Sequence, residues 1–492
     1  MAIPKEILSV KRPLNSIVYS YGKNNDKYGV RSRNGHKTVN GKCIPINGAV
    51  IGYIINKQFV PRTAKVGTSF EMKEWANYEL CDRLLKPLLS DLYNFFDIED
   101  ALKIYCISII RVCNPGISNN AIGKAFDSSY LSEVYPDVAL SKNTISTFLN
   151  NLGKTRSKCD QFMQYRASQI KCDAKILIDG TLKTNDSTIN TLSEYSRKAK
   201  IKGRRDISVL WAYDYTNKKL ICSQCYPGNM LDRTAYKDFL SNNNLTSGIV
   251  VSDKGIPASA AEDWFNDHEE LHYFYPLKRN ASQISNNNML SFSQPLQNHD
   301  GILCKKVKVP GSNKYLYSFR DTKLAQAEEY TYVERCKRAK NINEEKYEKR
   351  LKEFGTIVFE SDLDLTCEEA YDLYSSRWEI EVIVRYYKHA CELDDVRVHD
   401  DYSLYGSEFC DFIASVCTVS LMNEFNSKNL LEKKTYKELM NILEGCKRIK
   451  HENKWSLRRV LEYELKILET LNISSLDINI DNNQKILIPE NK

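Results

Sequence analysis

The sequence predicts an α/β chain. Apolar β-type runs alternate with helical stretches from about residue 174, a strongly helical region precedes them, and a stretch rich in Gly, Asn and Lys opens the chain. The 492 residues are 42% hydrophobic, and 70 Lys+Arg against 63 Asp+Glu give a formal charge of +7. That composition is soluble and globular, and at roughly 100–200 residues per domain the length predicts two to four domains.

The elements follow in order. Residues 1–70 read as a small β-rich region, with runs such as Ser16-Ile-Val-Tyr-Ser-Tyr and Ala49-Val-Ile-Gly-Tyr-Ile-Ile. Residues 71–172 read as helical: Trp75, Tyr78, Leu80, Leu84, Leu85, Leu88, Leu89 and Leu92 recur at three- and four-residue steps. Within this region, segments starting at Ser118 and Ser141 each open on a good N-cap residue, and Gly153 reads as a C-cap. The face carrying Lys142, Asn143, Ser146, Thr147 and Asn150 suits a DNA recognition helix in a helix-turn-helix, and a plain packing helix is equally compatible.

Residues 173–283 hold three successive apolar runs (Lys175–Thr181, Ile207–Asp214, Leu220–Tyr226), then a helix near Arg233–Asn243 and a fourth run, Gly248–Gly255. Three strands followed by helix, strand, helix and strand is the element order of a ribonuclease-H-like core, by fold-level analogy. Residues 284–365 break the alternation and read as a β-rich insertion. They contain a hairpin, Cys304–Phe319, turning at Pro310-Gly-Ser-Asn, and then a charged helix near Glu334–Lys352. Residues 366–425 supply the final helices of the core, and 426–492 form a basic C-terminal helical region.

No window reaches the roughly 18 consecutive apolar residues of a membrane span; Phe409–Met422, broken by Asp411, reads as a buried helix. The N-terminus shows no secretory pattern, and the 15 Cys lack a framework spacing, so reduced core thiols and a cytoplasmic chain are expected. Basic residues concentrate at Lys183–Arg205 (Lys183, Arg197, Lys198, Lys200, Lys202, Arg204, Arg205) and again at Lys428–Arg459. Such clusters suit a polyanion; either one alone fits a solvated face better.

Two acids stand where apolar strands end or open, Asp179 in Ile176-Leu-Ile-Asp-Gly-Thr and Asp253 in Ile249-Val-Val-Ser-Asp-Lys-Gly, each followed closely by Gly (Gly180, Gly255). Carboxylates at a sheet edge can hold a hard divalent cation, although either Asp alone is equally a turn residue or a helix cap. The third acid is suggested by Tyr374-Ser-Ser-Arg-Trp-Glu-Ile-Glu-Val-Ile-Val-Arg-Tyr-Tyr-Lys388. At about 100° per residue, Tyr374, Arg377, Glu381 and Lys388 fall at about 0°, −60°, −20° and −40°, with Arg385 near 20°. They form one narrow stripe opposite Ile380, Ile383, Val384 and Tyr387. Glu379 falls about 140° away from Tyr374, off the stripe, and Asp364 lies further upstream.

The spacing Tyr-x2-Arg-x3-Glu-x6-Lys resembles the terminal signature of DDE transposases of bacterial and archaeal insertion sequences. Ile178-Asp-Gly-Thr, Lys202-Gly-Arg-Arg-Asp, Pro227-Gly-Asn-Met-Leu-Asp232, Val251-Ser-Asp-Lys-Gly and Val396-Arg-Val-His399 resemble the same class, in order, across about residues 174–425. The resemblance implies Asp179, Asp253 and Glu381 as catalytic and metal-binding acids, with two Mg²⁺ ions (Mn²⁺ substituting) that activate water and stabilise the leaving oxyanion. It also implies a cut-and-paste DNA transposase, an endonuclease and strand transferase acting on terminal inverted repeats and target DNA. The protein is then expected to be a homodimer on DNA and nucleoid-associated. Arg377, Lys388 and Arg385 would grip phosphates, Tyr374 would orient one, and Trp378 would stack on a base or line the groove. Lys200, Lys202, Arg204, Arg205, Lys142 and Asn143 are the further DNA-binding candidates. A catalytically inactive DNA-binding relative is the alternative.

Two motifs point elsewhere. His268-Glu269-Glu-Leu-His272 matches a zinc-hydrolase pattern that needs both His on one helix, but Tyr273-Phe-Tyr-Pro276 follows and reads as a helix end entering a strand. Cys222-Ser-Gln-Cys225 has metal-pair spacing, but a strand sends its two sulfurs to opposite faces.

Overall fold

The computed structural model describes residues 3–20, 27–39, 42–61, 71–196, 202–230, 232–252, 258–292, 294–339, 343–375, 392–451, 454–473, 476–481 and 484–489. It divides into two compact units, Met1–Glu71 with Lys450–Lys454, and Met72–Ile449 with Trp455–Lys492.

The first unit comprises α1 (Lys5–Leu8), β1 (Ser16–Ser20), β2 (Lys27–Val39), β3 (Lys42–Ile55) and β4 (Gln58–Pro61). Its strands form an antiparallel sheet in the order β1-β2-β3-β4. Asn56 and Lys57 close the β3–β4 hairpin at φ +51° and +60°, the positive-φ pair that a two-residue turn between right-twisted strands requires. Strand alternation sends Val18, Tyr28, Val30 and Ile54 to one face, where Ile3, Ile7 and Val10 pack on them.

In the second unit, β5 (Glu71–Glu74) leads into α2 (Ala76–Leu92), α3 (Ile98–Cys113), α4 (Ile122–Ser128), α5 (Leu131–Val134), α6 (Lys142–Lys154) and α7 (Arg156–Ala167). The periodic residues Trp75, Tyr78, Leu80, Leu85, Leu88, Leu89 and Leu92 are all buried. Ser141 caps α6 as its sequence suggests, accepting the Thr144 N–H at 3.2 Å. Gly153 is not a C-cap: α6 continues to Lys154. A Cβ on Gly153 would lie 1.8 Å from the Tyr402 carbonyl oxygen, and one on Gly406 2.0 Å from that of Leu149. These glycines let α6 press backbone to backbone against α14 (Asp401–Ser427), a helix buried along most of its length. Among the described residues no helix is long and apolar enough to cross a membrane.

The sheet follows: β6 (Lys175–Thr184), β7 (Asp206–Asp214), β8 (Lys219–Pro227), α8 (Asp232–Asn242), β9 (Gly248–Ser252), α9 (Glu262–Asn266) and β10 (Leu271–Pro276). α10 (Ser282–Asn286), β11 (Gln294–Pro295), β12 (Ile302–Lys308), β13 (Tyr315–Asp321), α11 (Thr322–Arg338), α12 (Glu344–Glu353), β14 (Thr356–Ser361) and α13 (Cys367–Ser375) come next. Among the described residues the strands order as β11-β12-β13-β14-β10-β9-β6-β7-β8. β6 is antiparallel to β7 and parallel to β9, and β9 is parallel to β10. The strands of the segment 284–365 extend this same sheet, since β14 pairs antiparallel with β10. Beyond α14, the basic C-terminal stretch contains α15 (Tyr436–Gly445), two short strands (Lys447–His451, Lys454–Leu457) and α16 (Glu462–Thr470).

Candidate active site

Asp179 sits within β6, directly opposite Trp211 of β7. The sequence suggests a strand ending at this acid, but β6 runs on to Thr184. It stays paired to β7 as far as Asp206, and past β9 the segment Asp394–Val396 takes over its other edge through Thr184. What ends at the acid is the parallel pairing with β9, whose last partners are Ile178 and Ser252. Asp179 is the next residue of one strand; Asp253, the next of the other, lies outside the described residues. So do Lys200, Arg377, Trp378, Glu381, Arg385 and Lys388. Asp179 is half-buried, and its Oδ1 accepts the Gly180 N–H at 2.8 Å.

The registers fix which helices share the Asp179 face. Leu177, two residues before Asp179, is level with Val251, Val251 with Phe274, and Phe274 with Ser361. Phe359, two residues from Ser361, stacks on Phe274 at 4.6 Å, and the Tyr374 ring of α13 lies 4.9 Å from Phe359. Tyr374, half-buried at the end of α13, is therefore on the Asp179 face of the sheet. So is α14, whose Phe412 stacks on Trp211 at 6.4 Å. Gly180 and Ser252 belong to the other face, which α8 covers: Tyr236 is buried there and hydrogen-bonds Ser252.

Four residues beyond Asp179 on the same face, Lys183 is fully buried. It pairs with Glu408 Oε1 at 2.5 Å and Asp411 Oδ2 at 3.0 Å, both on α14. Arg111 of α3 meets Asp411 Oδ1 at 2.6 Å and also donates to Ser407 and Asn119. Burial, reinforced by the Asp411 charge, pushes Glu408 up to about 7. Burial opposes ionisation of Asp411 too, but Arg111 and Lys183 outweigh it and hold that carboxyl below its usual range. Lys183 therefore does not belong to the exposed basic cluster in which the sequence places it. The reason is the two carboxylates α14 brings to it, more than 200 residues away in sequence. Spacing did not reveal this network; its sequence trace is a pair of acids three apart, Glu408 and Asp411, at the head of the largely apolar run Phe409–Met422.

The other candidates are spread out. Lys142 and Asn143 are exposed at the start of α6, as are Ser146 and Thr147, whereas Asn150 is half-buried and donates to Asp400 at 2.9 Å. Lys202 and Arg204 are exposed; Arg204 approaches Asp186 at 3.4 Å, and Arg205 lies over the Tyr195 ring at 5.2 Å. Asp364 is held by Lys306 at 2.5 Å. The zinc-hydrolase geometry is not formed: α9 stops at Asn266, His268 lies in the turn with its Nδ1 2.8 Å from the Trp264 carbonyl, and His272 is on β10, 2.9 Å from Asp362. Cys222 and Cys225 lie on β8, and the cysteines among the described side chains are free thiols, most of them buried.

No curated protein matches the chain. Among solved structures it is similar to a piggyBac transposase synaptic complex with hairpin DNA, at a TM-score of 0.39 and 14% identity over 75% of this chain and 79% of that one. Residues 171–402 match the family model described as "Transposase DDE domain". That span begins just before β6, includes Asp179 and every strand from β6 to β14, and ends where α14 begins. The span is similar to a transposase DDE domain.

Proposed function

We propose that the chain is a cut-and-paste DNA transposase of the bacterial and archaeal insertion-sequence type, built on a ribonuclease-H-like core. The strand order β8-β7-β6-β9-β10, antiparallel for the first three and parallel thereafter, supports the core assignment. One observation carries the reading. The parallel pairing of β6 with β9 stops at Ile178 and Ser252, so two acids follow the last paired residues of adjacent strands inside a transposase DDE domain. Tyr374, which opens the signature containing Glu381, lies on that same sheet face.

Asp179, Asp253 and Glu381 are the acids that would hold divalent cations, Mg²⁺ in this reading. An all-carboxylate donor set suits a hard ion, and a half-buried Asp179 fits that role. When bound, such ions supply a nucleophile at neutral pH and charge stabilisation for the departing oxygen. The chain's own residues bind and orient the DNA. Arg377, Arg385 and Lys388 grip terminal phosphates, Tyr374 orients one of them, and Trp378 stands beside the cleaved end. Lys202, Arg204, Arg205 and Lys200 contact flanking backbone, and Lys142 and Asn143 meet DNA from the exposed start of α6. Water attacks the phosphorus at the element end and the P–O3′ bond breaks, leaving a 5′-phosphate and a free 3′-OH; that hydroxyl then attacks a target phosphorus, whose own P–O3′ bond breaks as the target 3′-oxygen leaves and takes up a proton. Two copies of the chain hold the two ends.

Labelled element ends incubated with the protein and Mg²⁺ test the proposal. Nicks are expected at the ends, abolished by Asp179→Ala, Asp253→Ala or Glu381→Gln with most DNA binding retained. Binding without nicks would identify a catalytically inactive relative instead, and wild-type nicking by any one variant would remove that residue from the site.

A further inference from the structure

The first 71 residues hold 12 Lys+Arg and three Asp+Glu, a formal +9 in a chain whose total is +7. The remaining 421 residues are therefore slightly acidic, and the whole positive excess lies in the N-terminal β unit. From Lys27 to Phe70 there is no acidic residue at all.

The sheet organises part of this charge on one face. Val18, Tyr28, Val30 and Ile54 point to the face that Ile3, Ile7 and Val10 pack against. By register, Tyr19, Gly29, Tyr53 and Val60 lie side by side on the other. Arg31, two residues along from Gly29, joins them with its guanidinium 4.5 Å from the Tyr19 ring centre. Gly29 makes room for that ring, since a Cβ there would lie 2.3 Å from it. Arg31 and Arg33 are exposed, as is Val60. One exposed arginine over an aromatic ring and a second exposed arginine on the same strand, with no carboxylate on any strand of the sheet, are complementary to a polyanion: cations neutralise phosphates and release counterions.

We infer that the N-terminal β unit is a duplex-DNA backbone-binding module, separate from the DDE domain, and that Arg31 and Arg33 contact phosphates. The choice of DNA rests on the transposase reading; the polyanion chemistry does not. Phosphate contacts of this kind add affinity and salt dependence without reading sequence.

The test uses the full-length protein and a fluorescent duplex of arbitrary sequence, with affinity measured by anisotropy across a KCl series. Three variants are compared: Arg31→Gln/Arg33→Gln, the charge-retaining Arg31→Lys/Arg33→Lys, and a control, Lys346→Gln/Lys349→Gln, on the exposed, charge-balanced α12. The glutamine variant should flatten the slope of log affinity against log salt by about two, roughly one per phosphate contact, while the lysine variant and the α12 control keep the wild-type slope. An unchanged slope in the glutamine variant, an equal loss in the α12 control, or tighter binding of the wild type to single-stranded RNA than to duplex DNA would each overturn the inference. Circular dichroism melting confirms that the variants are folded, and the lysine variant keeps the inference open to refutation if the glutamine variant is not. End nicking is scored separately, so a wild type that binds duplex but never nicks would sink the transposase reading and leave this one standing.

Discussion

Asp411 and Glu408 share one buried site yet have opposite tasks. Asp411 touches both Arg111 and Lys183, so Asp411→Asn would leave two buried cations with one remaining carboxyl. The expected cost is roughly 3–5 kcal/mol in urea unfolding. Glu408→Gln should cost far less, because Glu408 is already poised to take a proton. Its pH signature follows from linkage. A carboxyl raised from 4.5 to about 7 binds its proton more tightly in the folded chain, so it contributes stability at low pH that declines as pH rises from about 4.5 through 7. Asp411, held low, contributes stability above the ordinary Asp range that is lost as pH falls below it. Glu408→Gln should therefore flatten the decline between pH 4.5 and 7, measured as urea midpoints across that range. A wild-type pH profile in the variant would disprove the assignment. Asp179 was legible as a strand acid because an apolar run leads to it. Lys183 was misread as a surface cation because nothing local reveals that α14 will seat two carboxylates on it.

At the level of elements, the α6–α14 crossing depends on two missing side chains. Gly153→Ala would drive a methyl into the Tyr402 carbonyl, a backbone atom with no rotamer to yield, at an expected cost of about 1–3 kcal/mol. Gly445, at the end of α15, offers the opposite case: a Cβ there meets nothing closer than 3.9 Å, and Gly445→Ala should stabilise by about 0.4–1 kcal/mol. Chemical denaturation midpoints at unchanged m-value check both, and a neutral Gly153→Ala would mean that the helices can part without cost. The Ser141 cap was legible because capping is local, requiring only a hydroxyl three residues before a free N–H. Gly153 was not, since a glycine near a helix end reads as a terminator whether the chain stops there or another helix leans on it. At the sheet margin, Arg166 of α7 donates to the carbonyls of Leu220 and Ile221 on β8, occupying an edge strand that could otherwise recruit another chain.

For the molecule as a whole, strands β6–β10 and those of the segment 284–365 belong to one hydrogen-bonded sheet, joined where β14 pairs with β10. Native-state hydrogen exchange should therefore report similar opening free energies for Thr356–Ser361 and Leu271–Pro276, because β14 and β10 pair directly. Markedly faster exchange throughout 302–361 would show a separately unfolding body. The alternation of strands and helices was readable because period-two and period-3.6 patterns are set by adjacent residues. That the hairpin Ile302–Asp321 adds to the existing sheet was not, since pairing across more than 80 residues, as between Phe274 and Ser361, leaves no periodic trace. The concentration of charge in the first 71 residues was countable from the start, but it acquires meaning only once the sheet sets Arg31 against the Tyr19 ring.

Because β10 and β14 are hydrogen-bonded neighbours, the chain departs from β10 after Pro276 and comes back beside it at Thr356, through adjacent doorways. Whatever hangs between them closes on itself like a pendant on a clasp. Evolution, or an engineer, can lengthen, shorten or exchange that pendant at the hairpin tip Pro310–Asn313 without altering the spacing of the strands that bear Asp179 and its neighbour.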